Sequence, residues 1–440
     1  MSNFGKLNPF KIIILGFAGL IITGTVLLSL PIATTRGIVT PLADCLFTAT
    51  SATCVTGLVI YDTGTYWSVF GQAVILILIQ IGGMGVITFA MLIAMISGRK
   101  IGLNRRSIMQ SSVSAARLGG ILKLTGFIFS FTIVLELAGA AVTAPVFCSD
   151  YGTVKGLWVR LFHSISAFCN AGFDILGADR SVSLSAYSAQ PVINIATMSL
   201  IIIGGLGYVT WSDIAANRKD LSRLSLQTRA VIAVSVFLIL VPAAYNYLFE
   251  FTYLTGAERI FASLFQSVTT RTAGFSSVDI GKMSEAGQSV MIPLMLIGGS
   301  PGSTAGGMKT TTLLCLLLHI RRIMTPRKGF SSFSRRIEDE TVHTAVSLAV
   351  VYMLLFFIGG VAIRTFERMP VLACLFESAS ALGTVGLTTG ITPVIGVPSK
   401  LVLILLMFIG RTGGLSVLYA ASGSKFTVSA ALPAEDLMVG

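Results

Sequence analysis

Long apolar runs alternate with shorter, more polar ones along this chain, in an order that recurs four times. A long run (residues 12–30) is followed by a short segment rich in Ser and Thr (42–53) and then by a second long run (67–96). The same order returns as 124–147, 157–168 and 192–211, then as 231–249, 258–270 and 290–318, and finally as 342–363, 371–382 and 401–421. The long runs have the roughly 20 residues that an α-helix needs to cross a bilayer. The short ones, about 12 residues at 1.5 Å each, reach only halfway. Irregular backbone at membrane depth is tolerated only where it lines a cavity or is covered by protein. The pattern therefore predicts an all-α integral membrane protein with eight transmembrane helices and four re-entrant pore half-helices. It divides the chain into four helix–pore–helix repeats, 1–98, 99–217, 218–322 and 323–440, the last ending in a short cytoplasmic tail.

Composition agrees. Of 440 residues, 54% are apolar and 11% charged, against about a quarter charged in soluble domains. A net charge of +12 would fit a nucleic-acid partner, but its distribution argues otherwise. Sixteen of the 31 Lys and Arg residues lie in three segments between helices, 99–123, 218–229 and 321–336. That bias places these segments, and with them both termini, on the cytoplasmic side. The charge reads as topology, with no nucleic acid. The first run is too long for a signal-peptide core and lacks a cleavage site after it, so it is expected to be retained. Six Cys residues show no metal-ligand spacing and read as small apolar side chains.

Two short anchors turn the pattern into a sequence repeat. Each half-helix carries Leu-Phe, at Phe47, Phe162, Phe265 and Phe376, and a glycine follows at Gly57, Gly172, Gly274 and Gly386. The Phe-to-Gly step is ten residues in three quarters and nine in the third. Further on come Ile81-Gly82-Gly83, Ile203-Gly204-Gly205, Ile297-Gly298-Gly299 and Ile409-Gly410-Arg411. A dehydrated alkali cation needs several weak oxygen ligands around one axis, and glycine permits the backbone geometry that turns carbonyls inward. The half-helix ahead of each glycine would aim the negative end of its dipole at the same point. The expected filter is Cys54, Val55, Thr56 and Gly57; Cys169, Asn170, Ala171 and Gly172; Thr272, Ala273 and Gly274; and Thr384, Val385 and Gly386. Close packing between helices accounts for any one such glycine, but four in register point to a filter.

The run Gly298, Gly299, Ser300, Pro301, Gly302, Ser303, Thr304, Ala305, Gly306 and Gly307 interrupts an apolar stretch, and Pro301 breaks helical hydrogen bonding. As a phosphate loop it fails, because Met308 spoils the spacing and no strand–loop–helix surrounds it. It reads as a helix kink or, preferably, as a flexible intramembrane gate beneath the filter. Arg411 replaces the second anchor glycine of the other quarters. A guanidinium at that depth faces a wet cavity or carbonyl partners, as a positive barrier holding the loop carbonyls or as a structural tie between helices. Glu377 and Arg271 are expected to brace the filter through side-chain hydrogen bonds. Asp174 beside the second segment either concentrates cations at the mouth or is an ordinary solvated carboxylate. No paired catalytic constellation is present, so no enzymatic activity is expected. A secondary transporter built from two inverted halves fits four like-oriented repeats less well.

With these residues in place, the chain resembles the Trk/Ktr/HKT superfamily of potassium transporters, most closely its Ktr-type membrane subunits. The carriers are His163-Ser-Ile-Ser-Ala-Phe-Cys-Asn-Ala-Gly-Phe173, Gln266-Ser-Val-Thr-Thr-Arg-Thr-Ala-Gly-Phe275 and Ile297-Gly-Gly-Ser-Pro-Gly-Ser-Thr-Ala-Gly-Gly-Met-Lys-Thr310. The resemblance spans essentially the whole chain. It implies the ion-translocating subunit of a potassium uptake system, with K+ held at the filter residues and no cofactor bound by this chain. Na+ enters as an activator or, in the alternative reading, as a permeant or coupled ion. It further implies a homodimer in the bilayer of a bacterial cell membrane, seated on a cytosolic nucleotide-binding ring subunit (KtrA-like). Sodium-selective plant relatives tend to carry serine where this chain has Gly57.

Overall fold

The computed structural model describes residues 9–97, 109–110, 120–177, 183–217, 220–324, 330–332 and 335–413. Much of the three basic segments, the end of the helix expected over 401–421, and the tail lie outside the described residues.

Four long helices lead the quarters: α1 (Pro9–Leu28), α5 (Ile121–Tyr151), α9 (Leu226–Tyr245, continued by a π-turn at Asn246–Glu250) and α13 (Asp339–Glu367). All four are long and apolar enough to cross a membrane. Their outer faces present side chains such as Leu15, Ile22, Val134, Leu137, Phe357 and Ile358, which suits lipid contact. The half-helices are α2 (Leu42–Thr53), α6 (Thr153–Phe168), α10 (Gly256–Thr269) and α14 (Val371–Gly383). Each repeated phenylalanine, Phe47, Phe162, Phe265 and Phe376, is fully buried.

The second helices differ from the straight spans expected. The first is split into α3 (Val69–Met84) and α4 (Val86–Ile96), bent by 94°. The second is split into α7 (Pro191–Leu206) and α8 (Tyr208–Ala216), bent by 88°. The hinges are Gly85 and Gly207, at φ +87° and +89°, a backbone state that glycine reaches without steric cost. The third is α11 (Glu285–Leu296) and α12 (Thr310–Met324), separated by the glycine-rich loop. The fourth, α15 (Val397–Thr412), meets Gly413 at φ +84°. The expectation of continuous second spans over 67–96 and 192–211 is thus corrected: a glycine four residues beyond each anchor isoleucine ends the helix. A further departure from all-α is a two-stranded hairpin, β1 (Phe330–Ser332) against β2 (Arg335–Ile337).

The packing order closes a ring. Each leading helix packs on its own half-helix, α1 on α2, α5 on α6, α9 on α10 and α13 on α14. Each half-helix also packs on the second helix of the preceding quarter: α6 on α3, α10 on α7, α14 on α11, and α2 on α15. That last contact joins the first quarter to the fourth. A buried ion pair reinforces the seam, with Lys400 Nζ 2.6 Å from Asp44 Oδ1 and Tyr61 donating to Asp44 Oδ2 at 2.6 Å.

Candidate functional site

Every half-helix ends in the same backbone move. Two residues before each glycine the chain swings to positive φ, at Val55 (+58°), Asn170 (+57°), Thr272 (+71°) and Thr384 (+51°). The glycines follow at φ +94°, +69°, +80° and +93°. In three quarters the residue before the glycine donates its N–H to a carbonyl five residues back: Thr56 to Ser51, Ala171 to Ser166 and Val385 to Ser380, each at 2.8 Å. In the third, Ala273 donates to Thr269, four back, at 3.0 Å. The residue missing from the third quarter is therefore taken up in the turn leaving the half-helix.

The four glycines meet. A methyl built on Gly57 would sit 2.5 Å from Ala171 O, and one on Gly172 would sit 2.9 Å from Ala273 O. One on Gly274 would lie 2.5 Å from Val385 O, and one on Gly386 would lie 2.0 Å from Thr56 O. Each glycine thus faces the equivalent carbonyl of the next segment, and the order 1–2–3–4 closes on itself. The half-helices point their carbonyl ends at this ring, where their dipoles favour positive charge. Ser51 and Ser380 hydroxyls accept from the N–H of Gly57 and Gly386 at 3.1 and 3.0 Å. The Thr56 and Thr384 hydroxyls are buried without a hydrogen-bond partner.

Cys54 and Cys169 cap their half-helices and are fully buried. The Cys169 thiol turns back toward Glu136 Oε1 (3.9 Å) and Gln80 Oε1 (4.0 Å). Glu377 clamps the stretch after the fourth segment, accepting from the Thr388 hydroxyl, from Thr389 N at 3.1 Å and from the Thr392 hydroxyl at 2.7 Å. Arg271 makes a side-chain hydrogen bond of its own. Its guanidinium donates to Ser235 Oγ on α9 at 3.1 Å and so ties the half-helix turn outward. His163 Nε2 pairs with Thr197 Oγ1 at 2.9 Å, between the rings of Phe147 and Phe275.

The anchor glycines serve close approach. Methyls on Gly82, Gly204 and Gly410 would lie 2.0, 2.1 and 2.1 Å from the carbonyls of Thr53, Phe168 and Leu382, where the half-helices end. In the third quarter the loop takes this place. Its ends pair through Gly298 N–H to Met308 O at 2.7 Å. Its middle is held from the second quarter by Ser300 N–H to Gly205 O (3.0 Å) and Thr304 Oγ1 to Phe168 O (3.2 Å). Gly307 N–H donates to Gly410 O at 3.2 Å, and a methyl on Gly306 would strike the Thr384 side chain. The loop thus lies against the glycine ring on the side where the half-helices end.

Arg411 reaches across this layer. It donates to Thr304 O in the loop and to the carbonyls of Gly82 and Gly83 in the first quarter, the last at 3.0 Å. Lys309, which the sequence reading passed over, donates to Ala305 O at 2.7 Å and Gly306 O at 3.3 Å. Its place two residues beyond Gly307 was the available signal. On the opposite side, Asp174 lies partly buried in the loop after the second segment. Burial and the facing Asp62 carboxylate push it up to about 6. Among the described residues no group of three or more His, Cys, Asp or Glu could hold a metal.

A family model described as TrkH, cation transport protein, matches residues 16–428. Ktr system potassium uptake protein B of Bacillus subtilis is 38% identical over 423 residues, covering 94% of this chain and 93% of that one. Potassium/sodium uptake protein NtpJ of Enterococcus hirae is 36% identical, covering 99% and 98%. The crystal structure of the potassium transporter TrkH from Vibrio parahaemolyticus shares the fold, with TM-score 0.76 at 19% identity, covering 96% of this chain and 87% of that one.

Proposed function

The chain belongs to the TrkH family of cation transport proteins, and on that premise we propose that it is the ion-translocating membrane subunit of a potassium uptake system. It is a transport protein, not an enzyme. The observation that carries the reading is the closed ring in which each filter glycine faces the next segment's carbonyl. A dehydrated monovalent cation fits such a ring because the carbonyl dipoles replace its water. In this reading the chain crosses the membrane eight times, each broken second helix counting as one span. The four half-helices stabilise the ion, and the loop at 298–307 with Arg411 closes the inner side. Potassium is the cargo, as the names of those relatives state for them. Opening is driven by a cytosolic nucleotide-binding ring docked on the basic inner segments of a homodimer in the cell membrane.

A second reading has one observation behind it: a relative 36% identical is named for both potassium and sodium. Sodium would then pass through the same ring or activate it. Potassium-limited growth of a transport-deficient cell, with and without this gene and a ring subunit, tests the first reading. Liposome flux of potassium against sodium separates the two. A purified, correctly assembled protein that moves neither ion would sink both.

A further inference from the structure

Nine residues before each anchor isoleucine stand Gln72, Asn194, Gln288 and Lys400. Each is the fourth residue of its second helix, α3, α7, α11 or α15. In three quarters the residue is an amide, and its NH2 group gathers carbonyls from the stretch that joins the filter glycine to that helix. Gln72 Nε2 donates to Trp67 O at 3.0 Å and to Thr63 O and Gly64 O at 3.4 Å. Asn194 Nδ2 donates to Tyr187 O and Gln190 O at 2.8 Å and to Ser188 O at 3.1 Å. Gln288 Nε2 donates to Ile280 O at 3.1 Å and to Met283 O at 3.3 Å. The target is a short helical turn, at Thr63–Tyr66, Ser185–Tyr187 and Ile280–Lys282, with the residues just after it. Trp158 Nε1 donates to Gln72 Oε1 at 2.8 Å, which fixes which way that amide faces.

The fourth quarter inverts the arrangement. Lys400 turns to Asp44 across the seam. The turn at Thr392–Val394 is held instead by Glu377 of α14, which accepts from Thr388, Thr389 and Thr392. Every quarter thus has one polar clamp on this stretch, although residue, helix and hydrogen-bond direction differ. The filter segments need such a hold. Each has two positive-φ residues within three, a conformation that persists only where the surroundings fix it. The half-helix fixes one end, through the N–H groups of Thr56, Ala171, Ala273 and Val385. The clamp fixes the other. We infer that Gln72, Asn194 and Gln288 are positioning residues that hold the first three filter segments in register, as Glu377 holds the fourth, and so set the discrimination between potassium and sodium. A carbonyl ring discriminates between alkali ions only while its geometry and ligand number are kept. The inference rests on the transport reading.

The test is the potassium-to-sodium permeability ratio of the full chain in liposomes. Hydrogen–deuterium exchange over residues 275–284 adds a readout that needs no transport. Gln288 is half-buried, and Gln288→Met keeps its length while removing its donors. The variant is expected to speed that exchange and to lower the ratio about tenfold, the equivalent of about 1.4 kcal/mol, in keeping with one or two lost hydrogen bonds. Gln72→Met and Asn194→Leu lower the ratio in the same direction. Gln288→Lys restores a donor, with the residue type that the fourth quarter has in this place. Its charge repels both ions alike, so the ratio returns toward wild type. An unchanged ratio in the assembled donor-less variants overturns the inference. An equal fall in Gln288→Met and Gln288→Lys overturns it too, since the donor would then not matter. Whichever of the three donor-less variants assembles is sufficient to decide. A wild-type protein that moves neither ion would instead refute the transport reading, and the exchange would still report on the clamp.

Discussion

A single methyl group is the smallest change that tests the ring. At Gly57, Gly172, Gly274 and Gly386 a side chain meets two penalties at once, a positive φ and a neighbouring carbonyl within 2.0–2.9 Å. Strain of this kind costs about 1–3 kcal/mol. Serine at any of the four should therefore lower potassium affinity, or raise the sodium-to-potassium permeability ratio, by about tenfold or more. Four serine variants with unchanged affinity and selectivity would remove the filter assignment. Asp174 carries a pH prediction. Burial and Asp62 hold it above the ordinary 3.8, at about 6. Ionising it therefore costs the folded protein stability as pH rises between those values, and its negative charge at the mouth is complete only above about 6. The potassium KM of the wild type should fall, about threefold, as pH passes upward through 6, because a local anion raises the cation concentration. Asp174→Asn should flatten that profile; a profile unchanged in the variant rules the role out.

At the scale of elements, the half-helices were legible in the sequence. The expected 42–53 coincides with α2, and 371–382 falls one residue short of α14. Their polarity and length leave no other place for them in a membrane protein. The hinges in the second helices were missed because Gly85 sits inside an apolar run that continues past the bend and Gly207 lies near the end of one. Only the φ angles reveal the break. The glycine-rich loop was visible, and so was Arg411 as a holder of its carbonyls; its contacts with Gly205, Phe168 and Gly410 were not. Removing residues 300–305 should be sterically simple, since Gly298 and Gly306 already approach each other closely. That deletion should leave the chain conducting with no cytosolic ring subunit added, and Arg411→Gln should raise basal flux in the same direction. Two like charges about 5 Å apart repel by roughly 3 kcal/mol at an effective dielectric near 20, enough to matter for ion occupancy. Both changes act on one barrier, so the combination should fall short of the product of the single effects. A well-assembled deletion that conducts no faster than wild type means that the barrier lies elsewhere.

For the whole molecule, regulation and closure are the open physical questions. Nothing among the described residues forms a nucleotide-binding fold, and the glycine run is occupied by backbone contacts with the second and fourth quarters. Purified protein should accordingly bind ATP weakly or not at all in equilibrium dialysis; stoichiometric binding would show that control resides in this chain. The sequence by itself determined the class, the fourfold repeat and the identity of the ring glycines. Those depend on hydropathy and on a backbone conformation that few residues tolerate, and both are local properties. Tertiary structure alone decided that α2 closes the ring against α15 and that Asp44 finds Lys400 across 356 residues. It also turned Arg271 outward and brought Arg411 to Gly82 and Gly83 of the first quarter. These contacts join residues hundreds of positions apart, and which side of a buried helix a long polar side chain leaves by is set by the neighbours that can satisfy it. No periodicity along the chain encodes that choice.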